Sequence, residues 1–104
     1  MSNDDPVLTT LREGLEKAYG DRIERVVLFG SRARGQARSD SDYDVAVFLH
    51  DLADRFQEVH RLAELQIQIM DEYDVFVDAI PFAAGAWGDR TMFMHDIRRE
   101  GMDL

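Results

Sequence analysis

Asp42 and Asp44 stand one residue apart in the run Ser41-Asp42-Tyr43-Asp44-Val45, at the head of an apolar stretch that reads as a strand. Alternate side chains of an extended backbone share a face, so the two carboxylates point the same way. Two like charges that close repel and shift each other's pKa, and a divalent cation relieves the conflict. Hard oxygen donors favour Mg²⁺, with Mn²⁺ as an alternative. Mg²⁺ is normally shared between one or two carboxylates and the phosphates of a substrate. Two such ions can clamp the attacking and leaving oxygens of an in-line displacement. Upstream, the apolar run ending Leu28-Phe29 delivers Gly30-Ser31 to the carboxyl end of a strand, the edge at which ligands sit in open sheets. Gly30 has no Cβ, so a phosphate can approach its backbone N–H. The Ser31 hydroxyl can donate to a phosphate oxygen or stand near a metal. A third carboxylate should come from a neighbouring strand, with Asp74 and Asp78 as candidates. Asp78 lies between Val77 and Ala79 inside an apolar run, where an acid needs a partner. Asp74 sits where a solvated acid is unremarkable, so Asp78 is the stronger choice.

Each part alone is weak evidence. A Gly-Ser is usually a turn, an Asp-x-Asp is usually solvated, and an acid in a strand can be a satisfied core residue. Their conjunction carries the argument, and so do the elements that must hold them. Residues 6–19 read as a helix, with Asp5 as cap, Pro6 in the first position, Leu8, Leu11, Leu15 and Tyr19 at helical spacing, and Gly20 as the stop. Residues 24–29 read as a buried strand and 31–41 as loop or short helix. Residues 44–49 form a second strand. A helix over 53–71 should turn Phe56, Val59, Leu62, Ala63, Ile67 and Met70 toward the core. Residues 74–80 make a third strand that Pro81 stops, and 83–88 a flexible connection. A last helix over 89–100 turns Met92, Ile97 and either Phe93 or Met94 inward, and Gly101 ends it. The order implies an α/β or α+β domain, a small mixed β-sheet flanked by helices.

Gly30-Ser31, ten residues, then Asp42-Tyr43-Asp44 resembles the signature of the nucleotidyltransferase superfamily that shares the DNA polymerase β palm. The fuller run Phe29-Gly30-Ser31-Arg32-Ala33-Arg34-Gly35, followed by Ser41-Asp42-Tyr43-Asp44-Val45, is similar to its minimal branch, the MNT proteins. The resemblance covers essentially the whole chain. It implies that Gly30 and Ser31 hold the triphosphate of ATP and that Asp42 and Asp44 bind the metals. Asp78 would be the third acid, completing the metal site or assisting deprotonation of the acceptor hydroxyl. Arg32 and Arg34 would lie near the phosphates or the partner, and Arg38 could do the same. Asp40 falls outside the pattern. The resemblance further implies transfer of AMP, release of pyrophosphate, and pairing with a small helical HEPN toxin for which such a protein is the antitoxin, in some cases by adenylylating a tyrosine. Two other functions stay open at this point: neutralisation of a HEPN partner by contact alone, and small-molecule modification of the aminoglycoside nucleotidyltransferase kind. The latter enzymes carry a further helical domain.

Composition sets bounds on these readings. A length of 104 residues fits one domain, spanning 1–104, with little apolar surface to spare. No cysteine is present, which excludes thiolate metal sites, thiol nucleophiles and disulfides. The first residues resemble no signal peptide, and no apolar run approaches the roughly 20 residues that cross a bilayer, so a cytoplasmic protein is expected. The net charge of −9 argues against non-specific nucleic-acid binding and suits a basic protein partner better. His50, His60 and His95 lack the spacing of a helical metal site. Tyr43, between the two aspartates, should face away from any metal. Trp87, between glycines, is either a stacking residue or partly exposed packing.

Overall fold

The structure, a computed structural model, describes residues 5–38 and 41–104; Asp40 lies outside them. A mixed sheet of four strands has the order β3-β2-β1-β4. β1 (Ile23–Phe29) runs antiparallel to β2 (Tyr43–Leu49) and to the short β4 (Met102–Asp103), whereas β3 (Val77–Ala83) runs parallel to β2. A parallel pair needs a long crossover, and α2 (Arg55–Tyr73) supplies it. α1 (Pro6–Tyr19) precedes the sheet and α3 (Met92–Glu100) follows it. The expected α+β class, a small mixed sheet flanked by helices, is the one observed. No helix among the described residues is long and apolar enough to cross a membrane.

α1 begins and ends where its residues dictate. The Asp5 carboxylate accepts from the Val7 N–H at 2.9 Å, Pro6 occupies the first turn, and Gly20 closes the helix at φ +52°. Val7, Leu11, Leu15 and Tyr19 form its buried stripe. Mid-helix Gly14 has a packing reason: a Cβ there would stand 2.5 Å from Leu65 of α2, so its absence lets the two helices approach.

Strand alternation divides the sheet into two faces. Tyr43, Val45, Val47 and Leu49 of β2 join Val26 and Leu28 of β1 and Val77 and Ala79 of β3 beneath α1 and α2. Ala46 and Phe48 of β2 join Val27 of β1 beneath α3, whose Met94 and Ile97 point inward. Trp87 belongs to this second cluster. It packs edge-on against Phe48 at 5.6 Å and lies under the Arg25 guanidinium at 4.1 Å, which makes it a packing residue.

Five sequence expectations are corrected. Pro81 does not stop the third strand but sits within it opposite Val47; β3 is an edge strand of the sheet, where a missing N–H is tolerated. Asp74 is not in that strand at all. It caps α2 in the left-handed conformation, φ +57°. Third, α2 is rotated relative to the expected phase. Its buried residues are Glu58, Leu62 and Ile69, while Phe56, Val59, Ile67 and Met70 are exposed. Glu58 can enter the interior because Arg22 reaches it at 2.9 Å. In α3, Met92 likewise faces outward, and residues 84–88 form a 3₁₀ turn rather than a loose connection.

Candidate active site

β1 ends at Phe29, and Gly30 turns the chain at φ +77°. The Gly30 carbonyl accepts from the N–H groups of Ala33 and Arg34 at 3.1 and 3.2 Å, and the Ser31 carbonyl from that of Gln36 at 2.9 Å. Residues 31–36 therefore curl into one helix-like turn. The Ser31 N–H stands at the head of this turn, where a helix-like N-terminus favours an anion. A second constraint fixes the glycine: a Cβ at Gly30 would stand 2.5 Å from Oδ2 of Asp44. The phosphate-binding candidate and the acid candidate are in contact.

The carboxylates come together through strand register. Asp44 pairs directly with Asp78 across β2 and β3, so the two side chains emerge side by side on the same face of the sheet. That face is the one carrying Ala46 and Phe48, opposite the α1–α2 core. Asp42 lies just outside β2 at the same end and is exposed. Burial raises the Asp44 pKa above the usual carboxylate range, and the nearby charges of Asp78 and Asp42 push it further, while Arg34 opposes the shift. Asp44 thus experiences the like-charge conflict expected from the sequence.

These groups fit a hard divalent cation. The donors are all oxygens, and Asp44 carries an electrostatic strain that a cation would remove. Among the described residues no trio of acidic or imidazole side chains already stands close enough to enclose an ion by itself. An open arrangement of that kind leaves coordination positions to substrate phosphates, as Mg²⁺ sites in phosphoryl chemistry do.

The arginines divide. Arg34 reaches Glu100 at the end of α3 (3.2 Å) and Gln36 (3.1 Å), and its charge is felt at Asp44. Arg32 turns its guanidinium onto the Ser41 carbonyl, at 2.8 Å from Nη2 and 3.1 Å from Nε, and stacks 3.9 Å above the Tyr43 ring. It thereby clasps the two ends of the loop between Ser31 and Asp42. Arg38 donates its backbone N–H to Ser41 Oγ at 2.9 Å and its side chain is exposed. Tyr43 faces away from the acids, as alternation requires. Its hydroxyl donates to Asp5 at 2.6 Å, and burial together with that bond pushes its pKa up to about 12. Asp5 therefore caps α1 and holds β2 with the same carboxylate. Sequence reasoning missed this link and the Arg34–Glu100 pair. Both join residues far apart in the chain, and neither leaves a local signal.

A small cavity of about 160 Å³ adjoins Gly30, lined by Phe29, Arg34, Phe93, Asp96, Ile97 and Glu100. A larger groove of about 580 Å³ lies between α1 and β1, away from the acids. The chemistry-bearing residues are not there, and size alone does not make it the site.

A mixed sheet in an α+β frame sets the Gly30 turn against the paired strand aspartates Asp44 and Asp78. The family model described as "Polymerase beta, Nucleotidyltransferase" matches residues 10–83, and the chain belongs to that family of transferases. A curated protein of Methanocaldococcus jannaschii, named "Putative protein adenylyltransferase MJ0141", is 21% identical over 98 residues, covering 94% of this chain and 95% of that one. Among solved structures, a toxin–antitoxin crystal structure with AMP-PNP superposes with a TM-score of 0.64 at 22% identity, over 91% of this chain and 69% of its own. A tri-AMPylated Shewanella oneidensis HEPN toxin in complex with an MNT antitoxin gives a TM-score of 0.53 at 20% identity, over 93% of this chain and 64% of its own.

Proposed function

We propose that this chain transfers AMP from ATP to a hydroxyl of a partner protein, a tyrosine of a HEPN toxin, and so acts as that toxin's antitoxin. The observation that carries the reading is the contact of Gly30 with Asp44 and the in-register pairing of Asp44 with Asp78. It brings Gly30, Asp44 and Asp78 to one end of one sheet, which supports reading them as a phosphate-accepting turn beside metal-accepting acids. In this reading Gly30 and Ser31 hold the β- and γ-phosphates, with Arg34 alongside. Arg32 keeps the loop that presents them in place. Asp42, Asp44 and Asp78 would hold two Mg²⁺, or Mn²⁺ in their stead. When bound, such ions neutralise charge on the attacking and leaving oxygens. The acceptor oxygen forms a bond to the α-phosphorus, the bond from that phosphorus to the bridging oxygen breaks, and pyrophosphate leaves. The acceptor's proton passes toward Asp78. A phenol, with a reference pKa of about 10, needs that assistance.

Support for a protein acceptor comes from three directions: the name of the M. jannaschii relative, the AMPylated toxin in the S. oneidensis complex, and a charge of −9 that suits a basic protein. Incubation of the chain with its HEPN partner, Mg²⁺ and ATP, followed by intact mass spectrometry, is expected to show one or more AMP units on the partner and none with Asp42→Asn. An unmodified partner that Asp42→Asn still neutralises fully would establish antitoxin action by contact alone.

A further inference from the structure

α2 is apolar on two sides. Its inner side packs Leu62 and Ile69 into the core. Its outer side presents Phe56, Val59, Ala63, Ile67 and Met70, positions that recur at helical spacing on the face turned from the sheet. Phe56 is 71% exposed and Ile67 61%. Phe76, just past the helix, extends the stripe, and a cleft of about 250 Å³ lies among Ala63, Gln66, Ile67, Met70 and Phe76. Contiguous apolar surface of this kind on a small chain marks an interaction site, and this spacing is the one a helix lying alongside would engage.

The stripe finishes at the end of the sheet that carries the acids, on the opposite side. The Phe76 carbonyl accepts from the Tyr43 N–H at 3.0 Å, beside the strand that carries Asp44. Phe76 also precedes Asp78 by two residues. Charge selects the occupant. Glu64 and Asp71, seven residues apart and both exposed, border one flank of the stripe. A second copy of this chain would bring matching acids and a second charge of −9 against them.

We infer that the outer face of α2, with Phe76, seats a helix of the acceptor protein, one apolar toward α2 and bearing lysine or arginine opposite Glu64 and Asp71. This rests on the reading that the acceptor is a protein. The seated helix would reach the end of the sheet at which Asp42, Asp44 and Asp78 lie, with Asp44 and Asp78 on the face away from it. The test uses the HEPN partner co-expressed with the full chain, wild type against Ile67→Asp, an exposed position outside the catalytic machinery. Ile67→Asp is expected to weaken association about 30-fold or more, the effect of losing a central apolar contact. It should raise KM for the partner while leaving kcat and the thermal shift with Mg-ATP unchanged. The double variant Glu64→Lys, Asp71→Lys should weaken association less and reduce its salt sensitivity. Wild-type binding and transfer retained by Ile67→Asp would overturn the docking surface and leave the proposed function standing. A wild-type pair that neither associates nor transfers would overturn both. A wild-type dimer of this chain that Ile67→Asp splits into monomers, seen by sedimentation equilibrium, would overturn the inference in favour of self-association.

Discussion

The two faces of the sheet are built by the same strands and serve different ends. Under α1 and α2, Val45, Val47 and Leu49 of β2 are fully covered, and Leu11, Leu15, Leu62 and Ile69 close over them. Among the described residues, the other face is covered by α3 and the 3₁₀ turn before it. Met94 and Ile97 cover Val27, Ala46 and Phe48 in the middle, while the end that carries Asp44 and Asp78 stays partly open. Odd-numbered residues of β2 make the dry core, and the even-numbered positions carry both a smaller cluster and the charge. Strand parity thus assigns the dry core to one face and the paired acids to the other.

The comparison breaks most sharply at Asp44. Asp44→Asn is expected to cut nucleotidyl transfer by about 10³-fold or more, the scale of losing a preorganised electrostatic group. The fold should remain and gain stability, since a strained charge disappears from beside Asp78 and Asp42. Near wild-type transfer by this variant would show that the open face does not carry the chemistry. On the closed face, Leu62→Ala should lower unfolding stability by about 2–5 kcal/mol, the range for a buried leucine. Transfer per folded molecule should stay the same, and denaturant titration paired with activity at low temperature separates the two quantities. A drop in specific transfer without loss of stability would mean that the faces are not independent.

Smaller effects sharpen the contrast. Ser31→Ala should cost about 1.5–3 kcal/mol in nucleotide affinity, the worth of a hydrogen bond to a charged group. The variant's melting temperature without ligand should hardly move. Calorimetric titration with Mg-ATP, or with a non-hydrolysable analogue, reads this directly, and unchanged affinity would remove Ser31 from the phosphate site. The mildest effect is on pH dependence. Because the Asp44 pKa is raised on folding, the folded chain holds that proton more tightly than the unfolded chain. Without metal, stability should therefore fall as pH rises from the ordinary carboxylate range through the raised value, and Asp44→Asn should flatten that slope. Thermal melts across pH 4–7 in chelator provide the check. A slope that is identical in the two proteins would place the conflict elsewhere.

Local chemistry made much of the molecule legible beforehand. Asp5, Pro6 and Gly20 bounded α1 because capping and φ restriction act within a few residues. The Gly30 turn could be read for the same reason, since a glycine at a strand end carries its geometry with it, whereas Asp42 falls just outside β2 and only Asp44 within it. Asp78 over Asp74 followed from an acid's cost inside an apolar run, and the register with Asp44 bears out its placement beside that residue. The phase of α2 did not follow. Both of its sides are apolar, so periodicity offered two inward faces of similar merit. The outcome turned on Arg22, 36 residues away, which lets Glu58 enter the interior.

The sequence alone determined what its short-range physics could determine: the order of the three helices and the three longer strands, the α1 cap and the glycine turn. The tertiary structure decided what depends on neighbours brought from afar. Parallel pairing put Asp78 beside Asp44, edge position admitted Pro81 to β3, and the Arg34–Glu100 pair tied the turn after β1 to α3. It also turned Phe56 and Ile67 outward. Periodicity tells that a helix has an apolar side, but only the partner that fills the space, here Gly14 against Leu65 and Arg22 against Glu58, fixes which side faces the core.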